Sequence, residues 1–590
     1  MKEKLEKLIA DVLKSLGMKE VKATLEHPTE TIHGDWSTNV ALVMAKDAKI
    51  SPKELAEKIK TEIEKNLPEE IERAEIAGPG FINFFLSMKF FAGSVQNILE
   101  HEDDYGRNAK HEGEKIMIEY TDPNPFKEFH IGHLMNNTIG ETISRIIEFS
   151  GAEVRRANYQ GDVGLHVAKA IAGMFQEEIS IENIIRGTQL MRDIPSESET
   201  LKKKAEFLGS AYAQGATAYE QHEDQKKAIG ELNKLIYERS NPEINKLYDL
   251  GRAWSLEYFE DIYKKLGTNF DFYFFESESG KIGRDVVKKF LAEGKVFEES
   301  EGAIVFRGEK YDPSLHTRVF ITSEDLPTYE AKELGLAKIK FDKYAYGTSI
   351  TVAANEVDDY FRVVLKAMEL VYPDLRYKTK HVSHGMLRLP TGKMSSRTGE
   401  VIVAEDLIRE IEKRALDKIE TSEKTFTDKE KKEIAEAIAI GAIKYSILKQ
   451  SPGKDIIFDI EKSLSFEGDS GPYLQYTYTR ALSVLEKAGQ ANLQSITNNL
   501  QQLEWETKGI EKLLYRFPEV VARALDEYEP QHITGYLIDL AQAFNTFYGK
   551  ERIVDPDDET SPYKVALTQA VAIVLKNGLW LLGIFAPSKM

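Results

Sequence analysis

The stretch IMIEYTDPNPFKEFHIGHLMNN, residues 116–137, decides how this chain folds. Its apolar first part, residues 116–121, predicts a buried strand, and the Pro- and Asn-rich loop after it leads into a helix that begins at His130. His130 and His133 share one face of the first helical turn, beside unpaired backbone N–H groups and the positive end of the helix dipole. Gly132 has no Cβ, so a flat or bulky group can approach the backbone there. The arrangement predicts a phosphate-binding site.

The residues that follow extend this stretch into a βαβ unit. A helix over residues 131–149, a C-cap at Gly151 and a second strand over residues 153–158 imply a parallel sheet with a right-handed crossover. Ligands of such sheets bind at the carboxyl ends of the strands. Asn124 and Asp162 both fall at that edge, so we expect them near the histidines.

A second informative segment is RLPTGKMSSRTGEVI, residues 388–402. It is rich in turn residues, small hydroxyl residues and cations, and it lies between strand-like runs at residues 381–389 and 400–404. Such a loop can close over a triphosphate, where Lys393 and Arg397 would neutralise charge that develops in phosphoryl transfer. Its position after a strand, downstream of the histidine pair, favours this interpretation over an exposed polar loop.

With these two segments the chain resembles the class I aminoacyl-tRNA synthetases, and within them the arginyl-tRNA synthetases. Residues 130–133 match the first signature of that family and residues 393–397 match the second. Further stretches that carry the likeness are residues 119–127, 158–164, 473–480 and 538–548. The resemblance runs from about residue 78 to the end of the sequence.

The resemblance implies that ATP activates arginine to arginyl-adenylate, with release of pyrophosphate, before arginine is transferred to tRNA. The protein would act mainly by positioning and charge stabilisation. The residues implied in catalysis are His130, His133, Lys393 and Lys127. Those implied in ATP binding are Gly132, His130, His133, Lys393, Met394, Ser395 and Ser396. Mg²⁺ is expected to arrive with ATP, and no protein-bound structural metal is predicted.

The arginine pocket should be acidic, because a guanidinium presents five donors and no acceptor. The resemblance assigns it to Glu119, Asn124, Tyr329 and Glu333. Glu333 stands where the family usually has aspartate. Glu119 lies in an otherwise apolar strand, so it should have a cation nearby.

Contacts with tRNA are implied at both ends of the chain. The residues are Asn83 and Phe85 near the N-terminus, with Tyr473, Gln475, Tyr476 and Arg480 near the C-terminus. Packing roles compete with this interpretation, since the aromatic run at residues 81–86 is also typical of a core strand and the tyrosines are also typical of a helix bundle.

The predicted fold is multidomain α/β and α, and a chain of 590 residues is too long for one core. We expect an N-terminal α+β tRNA-contacting domain over residues 1–107 and a Rossmann-type catalytic domain over residues 108–405, with a helical insertion at about 168–266. A connecting stem over residues 406–472 and a helical anticodon-binding domain over residues 473–590 complete the prediction.

Composition sets further limits. The chain has no cysteine, which excludes disulfides, thiol catalysis and thiolate zinc sites. Its net charge of −19 opposes loose, sequence-independent nucleic-acid binding but not binding through a local basic face. No stretch is apolar enough to span a bilayer, so we expect a cytoplasmic protein, a monomer, whose partners are arginine, ATP and an arginine-accepting tRNA.

Three alternatives stay open at this point. A class I synthetase for another amino acid, such as glutamine or lysine, would keep the reaction, although the acids Glu119 and Glu333 speak against glutamine. A small nucleotidyltransferase shares the histidine motif but is shorter. A non-catalytic tRNA-binding paralogue would be free to lose His130, His133 and Lys393.

Overall fold

The computed structural model describes residues 1–19, 21, 24–388, 402–421, 426–489, 505 and 507–590. Two compact units can be distinguished. The first contains residues 1–106, 477–520 and 536–577, and the second contains residues 107–476, 521–535 and 578–590. None of the helices in the described part of the chain combines the length and the apolar composition needed to span a bilayer.

The N-terminal part of the first unit is an antiparallel sheet covered by helices. Its elements are α1 (Lys2–Ser15), β1 (Leu25–Glu26), β2 (Trp36–Thr38), α2 (Val40–Ala48), α3 (Pro52–Lys65), β3 (Ile71–Ala77), β4 (Phe81–Leu86) and α4 (Met88–His101). The strand order is β1-β2-β4-β3. The buried rings of Trp36 and Phe84 face each other across the β2–β4 pair, in one core with the apolar faces of α1 and α3.

The second unit alternates strands and helices. Its elements begin with β5 (Lys115–Glu119), α5 (Ile131–Glu148), β6 (Glu153–Gln160), α6 (Leu165–Ala172), α7 (Ile181–Ile185), α8 (Leu201–Gln221), α9 (Glu223–Glu238) and α10 (Pro242–Leu266). They continue with β7 (Phe272–Phe275), α11 (Glu276–Ala292), β8 (Glu298–Ser300), β9 (Ala303–Arg307), β10 (Thr317–Ile321), α12 (Tyr329–Lys343), β11 (Thr348–Ala354), α13 (Asp358–Val371), α14 (Pro373–Lys378), β12 (Thr379–His384) and β13 (Leu387–Arg388). They close with α15 (Ala404–Glu420), α16 (Asp428–Leu448), β14 (Ile456–Ile457) and α17 (Ile460–Ser463).

The central sheet of this unit is parallel, with the order β12-β11-β5-β6-β7. The chain therefore leaves β5 in one direction through β6 and β7, and returns to the other side of β5 through β11. The carboxyl ends of β5 and β11 flank the point where the strand order reverses, which is where open parallel sheets bind ligands. Glu119 and Thr351 are register partners at this point. The prediction of a Rossmann-type parallel sheet is confirmed.

The chain ends in helices. They are α18 (Gly471–Ala488), α19 (Ile510–Leu514), α20 (Phe517–Glu527), α21 (Gln531–Lys550) and α22 (Ser561–Leu581). Within the first unit, the residues of α21 at Leu537, Leu540 and Phe544 are fully buried. This spacing of three and four residues is that of a helix which buries one face. The prediction of a C-terminal helical region is confirmed.

Local predictions around the sheet need correction. Helix α5 is capped at Phe149, and Gly151 lies two residues beyond it in a left-handed turn (φ 88°). The strand predicted for residues 381–389 is interrupted at Gly385, where a Cβ would lie 2.1 Å from the Lys454 carbonyl oxygen. The strand predicted for residues 400–404 is wrong at its end, because α15 begins at Ala404.

The second signature falls outside the described residues, and with it the predictions for Lys393, Met394, Ser395, Ser396 and Arg397. The described chain resumes at Ile402. The domain limits predicted from the sequence stay predictions.

Candidate active site

The loop between β5 and α5 has an unusual backbone. Thr121, Asp122 and Phe126 all have positive φ (82°, 46° and 69°) although none of them is glycine. Left-handed conformations of this kind are unfavourable for branched or bulky residues and cluster at functional sites. The surrounding structure holds the loop in place: the Asn137 side chain donates to the Thr121 hydroxyl at 3.0 Å, and the Ser255 hydroxyl accepts from the Phe126 N–H at 2.9 Å.

The two histidines of the loop cap helix α5 reciprocally. His130 is the N-cap, and its Nδ1 accepts from the N–H groups of Gly132 at 3.1 Å and His133 at 3.4 Å. The Nδ1 of His133 in turn accepts from the His130 N–H at 3.2 Å. The two rings stack with their centroids 3.5 Å apart. The sequence placed both residues on one face; the structure adds that each fixes the other.

These contacts also define the protonation state of the pair. Burial, assisted by the nearby Lys127 ammonium, lowers the pKa of His130 to about 4. Burial and the His130 ring lower the pKa of His133 well below its ordinary value. Both imidazoles are therefore neutral at pH 7. Because Nδ1 of each is an acceptor, each ring carries its proton on Nε2, which is a donor.

The expectation of unpaired backbone N–H groups at this helix start is wrong. The Gly132 and His133 amides donate to His130, and the Ile131 amide donates to the Ile402 carbonyl at 3.0 Å. The Leu134 amide donates to the His130 carbonyl at 3.2 Å. Donors for a phosphate at this position must therefore come from the Nε2–H groups of the histidines.

Gly132 has a different role from the one expected. A Cβ at this position would lie 2.9 Å from Cε1 and 3.0 Å from Nδ1 of His130. The space beside Gly132 is thus filled by the capping imidazole. Glycine is required here because the ring lies directly on the helix backbone.

Helix α5 is anchored from behind by a buried charge network. The Glu141 carboxylate accepts from the Tyr120 hydroxyl at 2.5 Å, from Arg145 Nε at 2.7 Å and from Arg156 Nε at 3.1 Å. A Cβ on Gly140 would lie 2.3 Å from Tyr120, so the tyrosine packs directly on the helix. The network links β5, α5 and β6 and fixes the axis of the helix that carries the histidines.

Glu119 is the buried acid at the carboxyl end of β5. Its side chain is nearly inaccessible, and its carboxylate lies 2.9 Å from the Lys340 ammonium of α12. The Thr351 hydroxyl donates to it at 3.4 Å. The cation expected beside this acid is thus supplied by the protein. The sequence could not identify Lys340, which is 221 residues away and has the appearance of a solvated helix residue.

Of the other predicted pocket residues, Glu333 lies close enough to this acid for the two carboxyls to interact. The Asn124 side-chain oxygen packs on Gly161, where a Cβ would come within 2.3 Å of it. Tyr329, the first residue of α12, is 61% exposed. Burial and the Glu119 carboxylate raise the pKa of Glu333 to about 8. The crevice therefore holds an acid that is partly protonated at neutral pH.

Residues beyond those predicted also belong to this crevice. Burial and Glu119 raise the pKa of Asp122 well above its ordinary value. The buried Lys332 ammonium of α12 pairs with the Glu276 carboxylate of α11. Asp162 is completely buried and accepts from Tyr248, Arg252 and Ser277. The position of Asp162 after β6 gave a signal in the sequence, whereas the lysine–glutamate pair gave none.

The tRNA contacts predicted near the N-terminus are buried. Asn83 and Phe85 on β4 are 5% and 8% exposed, and the Arg73 guanidinium stacks 3.7 Å from the Phe85 ring centroid. Their burial favours packing roles.

Gln475 is also buried, where it donates to the carbonyls of Ala437 at 3.0 Å and Phe585 at 2.8 Å. Tyr473, Tyr476 and Arg480 are half-buried. Of the predicted residues, these have side chains with surface that a tRNA could reach.

Comparison with known proteins agrees with this architecture. Residues 94–460 match the family model described as tRNA synthetases class I (R), catalytic domain, residues 474–590 match the DALR anticodon binding domain, and residues 3–86 match the arginyl tRNA synthetase N terminal domain.

Similar proteins include the arginine–tRNA ligases of Treponema denticola (32% identical, covering 97% of this chain and 97% of the relative) and Fusobacterium nucleatum (31% identical, covering 99% and 98%). The solved structure of Thermus thermophilus arginyl-tRNA synthetase has the same fold, with a TM-score of 0.77 over the whole of both chains at 24% identity. The chain belongs to the arginyl-tRNA synthetase family of class I aminoacyl-tRNA synthetases.

Proposed function

We propose that this protein is an arginine–tRNA ligase that activates L-arginine with ATP to arginyl-adenylate and transfers arginine to the 3′ end of its tRNA. One observation carries the proposal. A pair of neutral histidines that present Nε2–H donors begins eleven residues after a buried acid at the switch point of the parallel sheet. A phosphate site and a cation site thus share one edge of the sheet, as the joining of ATP to a cationic amino acid requires.

The phosphate step rests on His130, His133 and Lys127. The arginine carboxylate attacks the α-phosphorus, the bond to the bridging oxygen breaks, and pyrophosphate leaves with the electron pair. Neutral Nε2–H donors can bind phosphate oxygens as charge builds without a change of protonation state. ATP would enter as its Mg²⁺ complex. By resemblance, Gly132 and the second-signature residues Lys393, Met394, Ser395 and Ser396 complete the ATP site.

The arginine step rests on the acids of the crevice. Glu119 already has Lys340 as a counter-ion, so Glu333 is the better candidate to receive the guanidinium. Tyr329 lies one turn away on the same helix and offers an exposed aromatic face. Asn124 would orient the substrate beside them.

We also propose that tRNA is read by the C-terminal helices through Tyr473, Tyr476 and Arg480, and that the protein is a cytoplasmic monomer. Half-buried tyrosine rings and a guanidinium on one helix can stack on unpaired loop bases and donate hydrogen bonds to them. The family-model match of residues 474–590 supports this assignment of the C-terminal helices to tRNA.

The test is aminoacylation of total tRNA by the purified protein, with ATP and each of the twenty amino acids in turn. Arginine alone should be charged, and His133→Ala should slow activation by roughly 10²-fold or more while tRNA affinity is kept. Charging by another amino acid would reject the acid pocket and keep the reaction. No charging by folded protein with matched tRNA would reject ligase activity altogether.

A further inference from the structure

We propose that Tyr212, on helix α8, is a positioning residue for the Lys127 ammonium and thereby for the ATP phosphates. The inference rests on the proposed function. The Lys127 Nζ lies 4.8 Å from the centroid of the Tyr212 ring. This is the geometry of a cation–π interaction. Helix α8, which the sequence presents as part of a polar helical insertion, would then contribute to the active site.

Lys127 needs such support because, in the described part of the chain, its charge has no acidic partner. Among the described residues no carboxylate lies within ion-pair distance of its ammonium, and burial lowers its pKa. The titratable groups that it faces are His130 and His133 of α5 and His166 of α6, whose pKa values are all lowered in part by Lys127. All three imidazoles are neutral at pH 7. The lysine is therefore a half-buried cation among neutral rings, with no carboxylate partner among the described residues.

An aromatic face solves a problem that a carboxylate would create. A carboxylate beside Lys127 would neutralise the ammonium and repel an incoming triphosphate. The face of the Tyr212 ring stabilises the ammonium through its quadrupole and adds no net negative charge. The positive charge of Lys127 thus remains available to an anion. This arrangement suits a site whose ligand is polyphosphate.

The placement of the ring is fixed by close backbone packing. A Cβ on Gly173 would lie 1.9 Å from the Ala211 carbonyl oxygen, and a Cβ on Gly215 would lie 1.8 Å from the Lys169 carbonyl oxygen. Helices α6 and α8 therefore touch through their backbones on both sides of Tyr212. A Cβ on Gly209, one turn earlier, would lie 3.0 Å from the side chain of Glu128, the residue after Lys127. Helix α8 is locked both to α6 and to the loop that carries the lysine.

The same helix offers a matched control. Tyr219 lies two turns further along α8, and the Lys169 ammonium is 4.2 Å from its ring centroid. Both tyrosines are partly buried and pack against the same core. Tyr219 has no contact with the histidine loop among the described residues. Its loss should therefore resemble the loss of Tyr212 in stability and differ from it in catalysis.

The experiment compares Tyr212→Leu, Tyr212→Phe and Tyr219→Leu by arginine- and tRNA-dependent ATP–pyrophosphate exchange between pH 6.5 and 10. Tyr212→Leu should lower kcat/KM for ATP by roughly 3- to 30-fold, the range of a buried cation–π contact, and leave KM for arginine within about twofold. The basic limb of the pH–rate profile of Tyr212→Leu should move to lower pH, because loss of the ring makes the Lys127 ammonium easier to deprotonate. Tyr212→Phe keeps the ring face, so its kcat/KM for ATP and the position of its basic limb should both match those of the wild type.

Two results would overturn the inference. One is an equal loss of kcat/KM for ATP in Tyr212→Leu and Tyr219→Leu, which would mean that only packing is involved. The other is a basic limb that Tyr212→Leu does not move.

If the wild-type protein turns over no arginine, the proposed function fails separately. The contact is then tested by measuring the pKa of Lys127 by NMR after reductive ¹³C-methylation, with the Lys127 resonance assigned by its loss in Lys127→Arg. A lower pKa in Tyr212→Leu than in the wild type and Tyr212→Phe supports the contact, and an unchanged pKa refutes it.

Discussion

Replacing His130 by asparagine should separate the two roles that the structure gives this residue. Its Nδ1 caps α5 by accepting from the Gly132 and His133 amides, and its Nε2–H, which has no acceptor among the described residues, can donate to a phosphate. Asparagine is among the best N-caps, and its Oδ1 can accept from the same amides. It has no donor at the position of Nε2. The variant His130→Asn therefore keeps the cap and removes the proposed catalytic donor, whereas His130→Ala removes both.

The magnitudes follow from the two contacts. Loss of one well-placed donor to a developing oxyanion costs about 10²- to 10³-fold in rate, so both variants should lose that much in arginine-dependent pyrophosphate exchange. Loss of the cap costs about 1 kcal/mol, and only His130→Ala should show it. Hydrogen exchange of the Gly132 and His133 amides reads the cap locally. In His130→Ala these amides should exchange roughly fivefold faster, and in His130→Asn they should stay protected.

Ser51→Ala is the control for capping itself. Ser51 and Glu54 form a capping box on α3, in the N-terminal sheet and helices. The variant should lose about 1 kcal/mol of helix stability and keep the wild-type rate of arginine-dependent pyrophosphate exchange. The reasoning is refuted if His130→Asn retains more than a tenth of the wild-type rate while its amides stay protected, since His130 would then be a cap alone. Fast hydrogen exchange of the Gly132 and His133 amides in His130→Asn would instead show that the capping geometry is wrong.

Three further predictions concern the same region. Burial lowers the pKa of His166 to about 3, so below about pH 6.5 the unfolded chain binds a proton that the folded chain does not. Stability should therefore fall with decreasing pH, by about 1.4 kcal/mol per unit from this residue, and urea unfolding of His166→Gln should show a shallower fall. Gly132→Ala should lower the activation rate more than about tenfold by displacing the capping ring of His130. Its control is Gly230→Ala, in open space on α9, which should keep activity and raise the free energy of unfolding in urea by roughly 0.5–1 kcal/mol. Glu119→Gln leaves Lys340 without its counter-ion, so it should lower the free energy of unfolding in urea by about 3 kcal/mol and raise the KM for arginine. The double variant Glu119→Gln/Lys340→Met should regain the stability but keep the raised KM.

The sequence predicted elements well wherever a local signal defined both ends. Helix α16 begins at Asp428, where Thr427 and Glu430 form the capping box that their spacing in the sequence indicates. Strand β4 spans residues 81–86 as predicted, between a glycine turn and the serine that caps α4. The parallel pairing of β5 with β6 followed from the βαβ pattern, whereas the order of the other strands did not.

The site could be predicted less completely, for physical reasons. The spacing of His130 and His133 placed them on one face, but periodicity does not show that each ring accepts from the backbone of the other. That reciprocal cap determines the tautomer, and the tautomer determines which nitrogen can donate to a phosphate. Thr121 gives no sign in the sequence of its left-handed backbone, which is accompanied by a tertiary contact with Asn137 and by no turn-forming residue at that position.

Ion pairs across the crevice were beyond sequence reasoning for a related reason. Lys340 and Glu119 meet because α12 packs beside β5, and no local pattern brings residues so far apart together. The pairing changes the interpretation of the pocket. Glu119 was expected to attract the substrate cation directly, yet its charge is already balanced inside the protein. Its role is better understood as a fixed negative charge that raises the pKa of the neighbouring Glu333.

Glu333 is that acid, and its protonation follows from the balance of charges around it. Glu119 and Glu276 each have a lysine, whereas the carboxyl of Glu333 has burial and a neighbouring negative charge acting on it, so its pKa rises to about 8. At neutral pH the crevice lowers its energy by keeping a proton on Glu333. A guanidinium cannot give up its own proton, so it can replace that proton as the balancing charge. A neutral side chain of similar size brings no charge and leaves Glu333 protonated. We therefore expect a preference for a permanently charged amino acid to arise from Glu333, a carboxyl of the crevice that has no lysine within ion-pair distance among the described residues.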